Sequence, residues 1–129
     1  VDDARISVQA AQAPARWRLD PERMRQVLCN LLRNALEASP SGGQVLATVR
    51  SEGRELLFSV RDFGKGIRAA DLERIFEPFY TTRAQGTGLG LPIARRLVAL
   101  HGGSITADNA PDGGAIFCIR LPAVAPAAG

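Results

Sequence analysis

The stretch DPERMRQVLCNLLRNALEAS, residues 20–39, decides the fold. Asp20 before Pro21 supplies an N-cap with proline at the first helical position. Met24, Val27, Leu28, Leu31, Leu32 and Ala35 recur at three- and four-residue steps, which predicts a helix with one apolar face. The run Ser39-Pro40-Ser41-Gly42-Gly43 ends it. Asn30 and Asn34 lie one turn apart, beside the apolar face. Taken alone, such a pair reads more readily as solvated or capping side chains than as a polar pocket lining. The motifs between Asp62 and Leu91 reverse that preference.

Working outward, Arg5 to Ala10 alternates as a short strand, and Ala15 to Leu19 reads as a second after the turn at Pro14. Beyond the helix, Gln44 to Arg50 and Glu55 to Asp62 form a hairpin about the turn Ser51-Glu52-Gly53-Arg54. Leu56, Phe58, Val60 and Asp62 share one parity, so the Asp62 carboxylate emerges on the covered face at the strand's end. A buried carboxylate is costly unless it has a partner, which makes Asp62 informative. Ala69 to Ile75 is a short helix, and Phe76-Glu77-Pro78-Phe79-Tyr80 is its aromatic exit. A further helix opens at Gly86-Thr87-Gly88-Leu89-Gly90-Leu91-Pro92, with Leu89, Ile93, Leu97 and Leu100 as its apolar stripe, and stops at Gly102-Gly103. Ser104 to Ala107 and Ala115 to Leu121 are the last strands, joined through Asn109-Ala110-Pro111-Asp112-Gly113-Gly114. Residues 1–122 form one domain in this reading, and 123–129 a flexible tail of alanine, proline and glycine. The pattern predicts an α/β sandwich of two layers: a mixed, mostly antiparallel sheet with about three helices on one face.

Composition narrows the class. The formal charge of +3 is mild and scattered, so nucleic acid is not an expected partner. No apolar run approaches the roughly 18 residues that a membrane span needs, and no signal-peptide pattern opens the chain, so a cytoplasmic location is expected. Cys29 and Cys118 lack metal-ligand spacing and read as buried free thiols. His101 precedes two glycines, where it would stabilise a helix C-terminus.

The run GTGLGL, residues 86–91, leads into a helix, as a backbone does when it wraps an anion. It is neither a P-loop, lacking GxxxxGK[ST], nor a dinucleotide fingerprint, because its third glycine comes one residue early. The order of the pieces is more specific than any one of them. Asn-x-x-x-Asn on a helix, DFGKG after a strand, FEPF, then GTGLGL into a helix resembles the ATP-binding catalytic domain of bacterial sensor histidine kinases. In family terms these are the N box, the first glycine box, the F box and the second glycine box of the Bergerat ATP-binding fold. FYTT close before GTGLGL looks most like the nitrogen-regulation type.

The resemblance implies ATP and Mg²⁺ as cofactors and assigns roles. Asp62 would accept from the adenine 6-amino group, and Gly64 and Gly66 would let the backbone approach the base. Asn34 would be the Mg²⁺ ligand, its amide oxygen being a hard donor, with Asn30 near the phosphates. Asn30 and Asn34 are the residues implied in catalysis. Gly86, Thr87, Gly88 and Gly90 would close on the phosphate tail, Tyr80 to Gln85 would form a mobile lid, and Arg83 would meet the γ-phosphate. Ile67, Phe76, Tyr80 and Leu89 complete the implied nucleotide site.

Two departures stand out. Glu37 and Ala38 occupy positions where family members often carry a lysine and an aromatic, so Tyr80 or Arg33 would have to supply those contacts. His101, in LHGGSI, does not resemble a phosphoacceptor motif. The resemblance therefore implies a catalytic fragment, monomeric by itself, that serves a histidine on a separate dimerisation domain. A response regulator would act downstream, and the complete protein could be membrane-anchored. A hydrolysing Bergerat-fold ATPase, a protein serine kinase of the anti-sigma type and a nucleotide-binding module without catalysis are the alternatives.

Overall fold

The computed structural model describes residues 6–12, 19–39, 43–78 and 90–122 of the chain. The elements run β1 (Ile6–Gln12), α1 (Pro21–Ala38), β2 (Val45–Glu52), β3 (Glu55–Asp62), α2 (Ala69–Leu72), α3 (Gly90–Leu100), β4 (Ser104–Asn109) and β5 (Ala115–Pro122). The strands form one sheet in the order β1-β2-β3-β5-β4, in which β1 pairs with β2 in parallel and every other pair is antiparallel. The expected mixed sheet with three helices is what the described residues build. The expected second strand and the 123–129 tail lie outside them, apart from Leu19.

The long helix α1 forms as its sequence dictates. Asp20 Oδ1 accepts from the N–H groups of Glu22 and Arg23 at 3.0 and 3.1 Å, satisfying two of the orphan donors of the first turn. Met24, Val27, Leu31 and Ala35 are buried, with Leu28 and Leu32 packed at the margin of the core. Each fully buried large side chain contributes on the order of 2 kcal/mol. The sheet presents a matching face. Val60 pairs Ala47 and Phe117, Phe58 pairs Val49 and Ile119, and Ile105 pairs Ile119, all with one parity. Asp62 and Ala115 share that parity, at the end of the sheet where the apolar rows run out.

Several expectations are corrected: β1 runs on to Gln12 and β4 to Asn109, beyond the expected Ala10 and Ala107, and the two cysteines are half-buried where buried thiols were expected. β2 continues through Ser51 and Glu52, because Glu52 pairs Glu55 and leaves a turn of only Gly53 and Arg54. α2 stops at Leu72. The following residues close as tight turns, Arg74 N–H to Asp71 and Glu77 N–H to Arg74, before Pro78, which has no N–H to offer. In α3 the buried residues are Ala94 and Val98, whereas Ile93 and Leu100 of the expected stripe are 39% and 55% exposed. Small Ala94 lets α3 pack closely in the core, and the phase of the helix follows that approach rather than its largest side chains.

α3 ends in a Schellman pair of bonds, Gly103 N–H to Val98 and Gly102 N–H to Ala99. His101 joins two helix ends. Its Nδ1 lies 2.9 Å from the Leu97 carbonyl, and its Nε2 accepts the Asp20 N–H at 3.0 Å, which fixes the neutral Nδ1–H tautomer. The expected stabilisation of the α3 C-terminus is thus made, with a tie to the start of α1 added. Cys29 and Cys118 are both free and half-buried. Among the described residues no helix is long and apolar enough to cross a membrane.

Candidate functional site

The site grows from the end of β3. Asp62 is 2% exposed, and its Oδ1 accepts from the N–H groups of Gly64 at 3.0 Å and Ala115 at 3.1 Å. Two main-chain donors offset the cost of burying a carboxylate and fix its direction. Among the described residues no donor engages Oδ2. Oδ1 therefore anchors the group.

The chain after Asp62 folds back against the end of α1. A side chain at Gly64 would overlap the Ala38 carbonyl, so glycine is required for this approach. Gly66 takes φ +81°, and the next peptide is held by Asn109: Ile67 N–H donates to Asn109 Oδ1 at 2.8 Å, and Asn109 Nδ2 donates to the Ile67 carbonyl at 2.7 Å. The close approaches that Gly64 and Gly66 permit are thus to Ala38 and Asn109. Arg61, on the opposite face of β3, holds the β4–β5 turn through Asp112 Oδ1 at 2.6 Å and the Gly113 carbonyl at 3.2 Å. Its guanidinium also lies 4.4 Å above the Phe63 ring. Hydrogen bonding to Arg61 holds the Asp112 carboxyl below its ordinary range.

A second cluster lies where α1 meets α3. Asn30 Nδ2 donates to the carbonyl of Gly90, the first residue of α3, at 3.3 Å. Asn34, one turn further along α1, is half-buried and hydrogen-bonded or otherwise partnered. Two amides on this edge of α1, with the α3 N-terminus beside Asn30, suit an anion and its counter-cation. Among the described residues no group of three His, Cys, Asp or Glu side chains could hold a metal by itself. The donor set fits a hard cation that takes an amide oxygen and fills its other positions from phosphate and water.

Phe76 packs edge-on against core Phe117, ring centroids 6.3 Å apart, with the Arg95 guanidinium 5.7 Å over its ring. Arg33 is exposed, and Glu37 is exposed but partnered. Tyr80, Arg83, Gly86, Thr87, Gly88 and Leu89 lie outside the described residues, as does the whole expected lid. Sequence reasoning missed Ala115 and Asn109. Ala115 contributes only its main-chain N–H, which no side chain advertises, and Asn109 reads as one more turn-former before Pro111.

The fold and this site define a class. Residues 19–125 match the family described as histidine kinase-, DNA gyrase B- and HSP90-like ATPase, and the chain belongs to that family. Sensor histidine kinase ZraS of Klebsiella oxytoca is 43% identical over 119 residues, covering 91% of this chain and 26% of ZraS. The nucleotide-free catalytic domain of histidine kinase ThkA superposes with a TM-score of 0.83 at 35% identity, covering 92% of this chain and 78% of that one. Full-length ShkA in complex with AMPPNP superposes with a TM-score of 0.80 at 32% identity, covering 95% of this chain and 26% of ShkA. Within its family the chain is an ATP-binding catalytic domain of the histidine-kinase type. It spans about a quarter of the length of ZraS.

Proposed function

We propose that this domain binds Mg-ATP and presents the γ-phosphoryl group to a histidine on a dimerisation domain, as the catalytic part of a two-component sensor kinase. The observation that carries the reading is Asp62, buried and anchored through Oδ1 by Gly64 and Ala115, an arrangement in which Oδ2 would accept from the adenine 6-amino group. The likeness to AMPPNP-bound ShkA supports it. Asn34 would hold Mg²⁺ by its amide oxygen, and bound Mg²⁺ would neutralise phosphate charge. Asn30, beside Gly90, would orient the phosphate tail at the start of α3. Gly86, Thr87, Gly88 and Leu89 would complete that cradle, with Tyr80 and Arg83 on the lid.

Transfer follows from positioning and charge neutralisation. An imidazole nitrogen of the dimerisation domain attacks the γ-phosphorus in line, the bond to the bridging oxygen breaks, and ADP leaves. A neutral Asn30 amide cannot take a proton from water as a carboxylate can, so the bound nucleotide is spared hydrolysis. A response regulator would receive the phosphoryl group afterwards.

Calorimetric titration with ATP and GTP in the presence of Mg²⁺ tests the base assignment. ATP should bind at least tenfold more tightly, since guanine offers no 6-amino donor to Asp62. Equal affinities would sink that assignment. Labelled γ-phosphate should then appear as acid-labile, base-stable phosphohistidine on a dimerisation domain added in trans. Rapid release of inorganic phosphate by the domain alone would favour a hydrolysing ATPase instead.

A further inference from the structure

Asn109 and Ala115 face each other across β4 and β5 as the last pair before the turn. Ala115 gives its N–H to Asp62 Oδ1 at 3.1 Å. Asn109 holds both main-chain groups of Ile67, accepting its N–H at 2.8 Å and donating to its carbonyl at 2.7 Å. The loop from Asp62 to Ile67 therefore has both ends fastened to one rung of a hairpin distant in sequence. Only a carboxamide carries a donor and an acceptor side by side on so short a stem; a carboxylate would set a second acceptor against the Ile67 carbonyl. The fit is close on the other side too, since a Cβ at Gly66 would lie 2.7 Å from Asn109 Oδ1. Asn109 is exposed, and both ends of its amide go to Ile67, so its side chain is committed to the loop and not to the core.

We propose that Asn109 is a positioning residue for the adenine site, its amide stapling the far end of the Asp62–Ile67 loop to the hairpin that also anchors Asp62. The functional half of this rests on the nucleotide reading of Asp62; the staple itself does not. Asp62 is aimed by main-chain donors, but without Asn109 the far end of the loop that would wall the base loses its polar tie to the hairpin and keeps only the packing of Ile67 against the core. A loop that must be ordered on binding weakens affinity without any contact to the ligand being lost.

The test uses the whole chain with Asn109→Ala and Asn109→Asp, the latter keeping an acceptor and removing the donor. In nucleotide-free protein, exchange of the Ile67 amide should quicken at least tenfold in Asn109→Ala, with the melting temperature little changed because the side chain is exposed. ATP affinity should fall about tenfold in Asn109→Ala and at least as much in Asn109→Asp, whose second oxygen would face the Ile67 carbonyl. In an Asp62→Asn background, Asn109→Ala should cost no more than about twofold, since the two act as one unit. Tight ATP binding by wild type and Asn109→Ala alike would overturn the positioning role alone. So would a full tenfold loss in the Asp62→Asn background together with a lowered melting temperature, which marks a merely structural residue. A wild-type chain that binds no adenine nucleotide while Ile67 stays protected would instead overturn the nucleotide reading and the positioning role with it.

Discussion

The two halves of the site are built in different ways. On the proposed base side a buried carboxylate is gripped by two main-chain N–H groups at 3.0 and 3.1 Å, beside a loop fastened to a hairpin. On the proposed phosphate side a side-chain amide reaches a main-chain carbonyl at 3.3 Å, between half-buried Asn30 and exposed Gly90. Main-chain donors within a sheet and its turns move little, so the base side is prepared before a ligand arrives. Amides on a helix edge are set by rotamers and can follow a cation and phosphates into place. The contrast suits a site that must recognise one constant group and yet let a phosphoryl group depart.

The largest effect should fall on phosphotransfer. Asn34→Ala removes the proposed metal ligand and little apolar packing, so transfer to a histidine should be lost while the circular-dichroism melt stays near wild type. ATP binding without Mg²⁺ should change far less than binding with it; an unfolded variant would mean that Asn34 is structural and would break the contrast. Next comes Asp62→Ala, expected to weaken ATP at least tenfold and also to destabilise the fold. It strands two main-chain donors, each worth about 1–3 kcal/mol when left unsatisfied and buried. Asn30→Ala is the matched control, expected to cost less than about 1 kcal/mol of stability because its bond is long and solvent is near. Comparable destabilisation by the two variants would erase the difference between the halves.

The smallest effect is expected away from both. Burial pushes the Cys118 thiol above its ordinary pKa, with the neighbouring Arg120 and Arg50 opposing the shift. A thiol harder to ionise when folded leaves the fold at full stability below the unfolded-state pKa, and stability is lost as pH rises from there through the folded-state pKa. Alkylation of Cys118 at pH 8 should accordingly be slower in the native domain than in the denatured chain, and equal rates would refute it.

Much of this was legible in the residues. Asp20-Pro21 announced a capped helix start, the period of α1 named its buried face, and strand parity put the Asp62 carboxylate on the covered side. These are local or periodic signals, and they do not depend on what the chain meets elsewhere. The phase of α3 was not legible, because Leu89, Ile93 and Leu100 outweigh Ala94 and Val98 by size, while the choice was made by how closely the helix approaches the core. Nor were Ala115 and Asn109, whose bonds span 53 and 42 positions and leave no mark on any window of sequence. The Gly64 and Gly66 boxes were recognisable as a pattern, yet their contacts with Ala38 and Asn109 needed the fold.

The tie made by His101 has a chemical consequence. It is the chain's single histidine, and its ring holds one lone pair in the plane, on Nε2, already occupied by the Asp20 N–H at 3.0 Å. A ring so engaged is a poor nucleophile toward phosphorus, because attack would first have to break its tie to Asp20 at the start of α1. A kinase domain that carried a free imidazole near its own nucleotide would lose phosphoryl groups to itself. Here the one candidate is spent on architecture, so a phosphohistidine formed in a mixture containing this domain reports on the other partner, and the domain serves as its own blank.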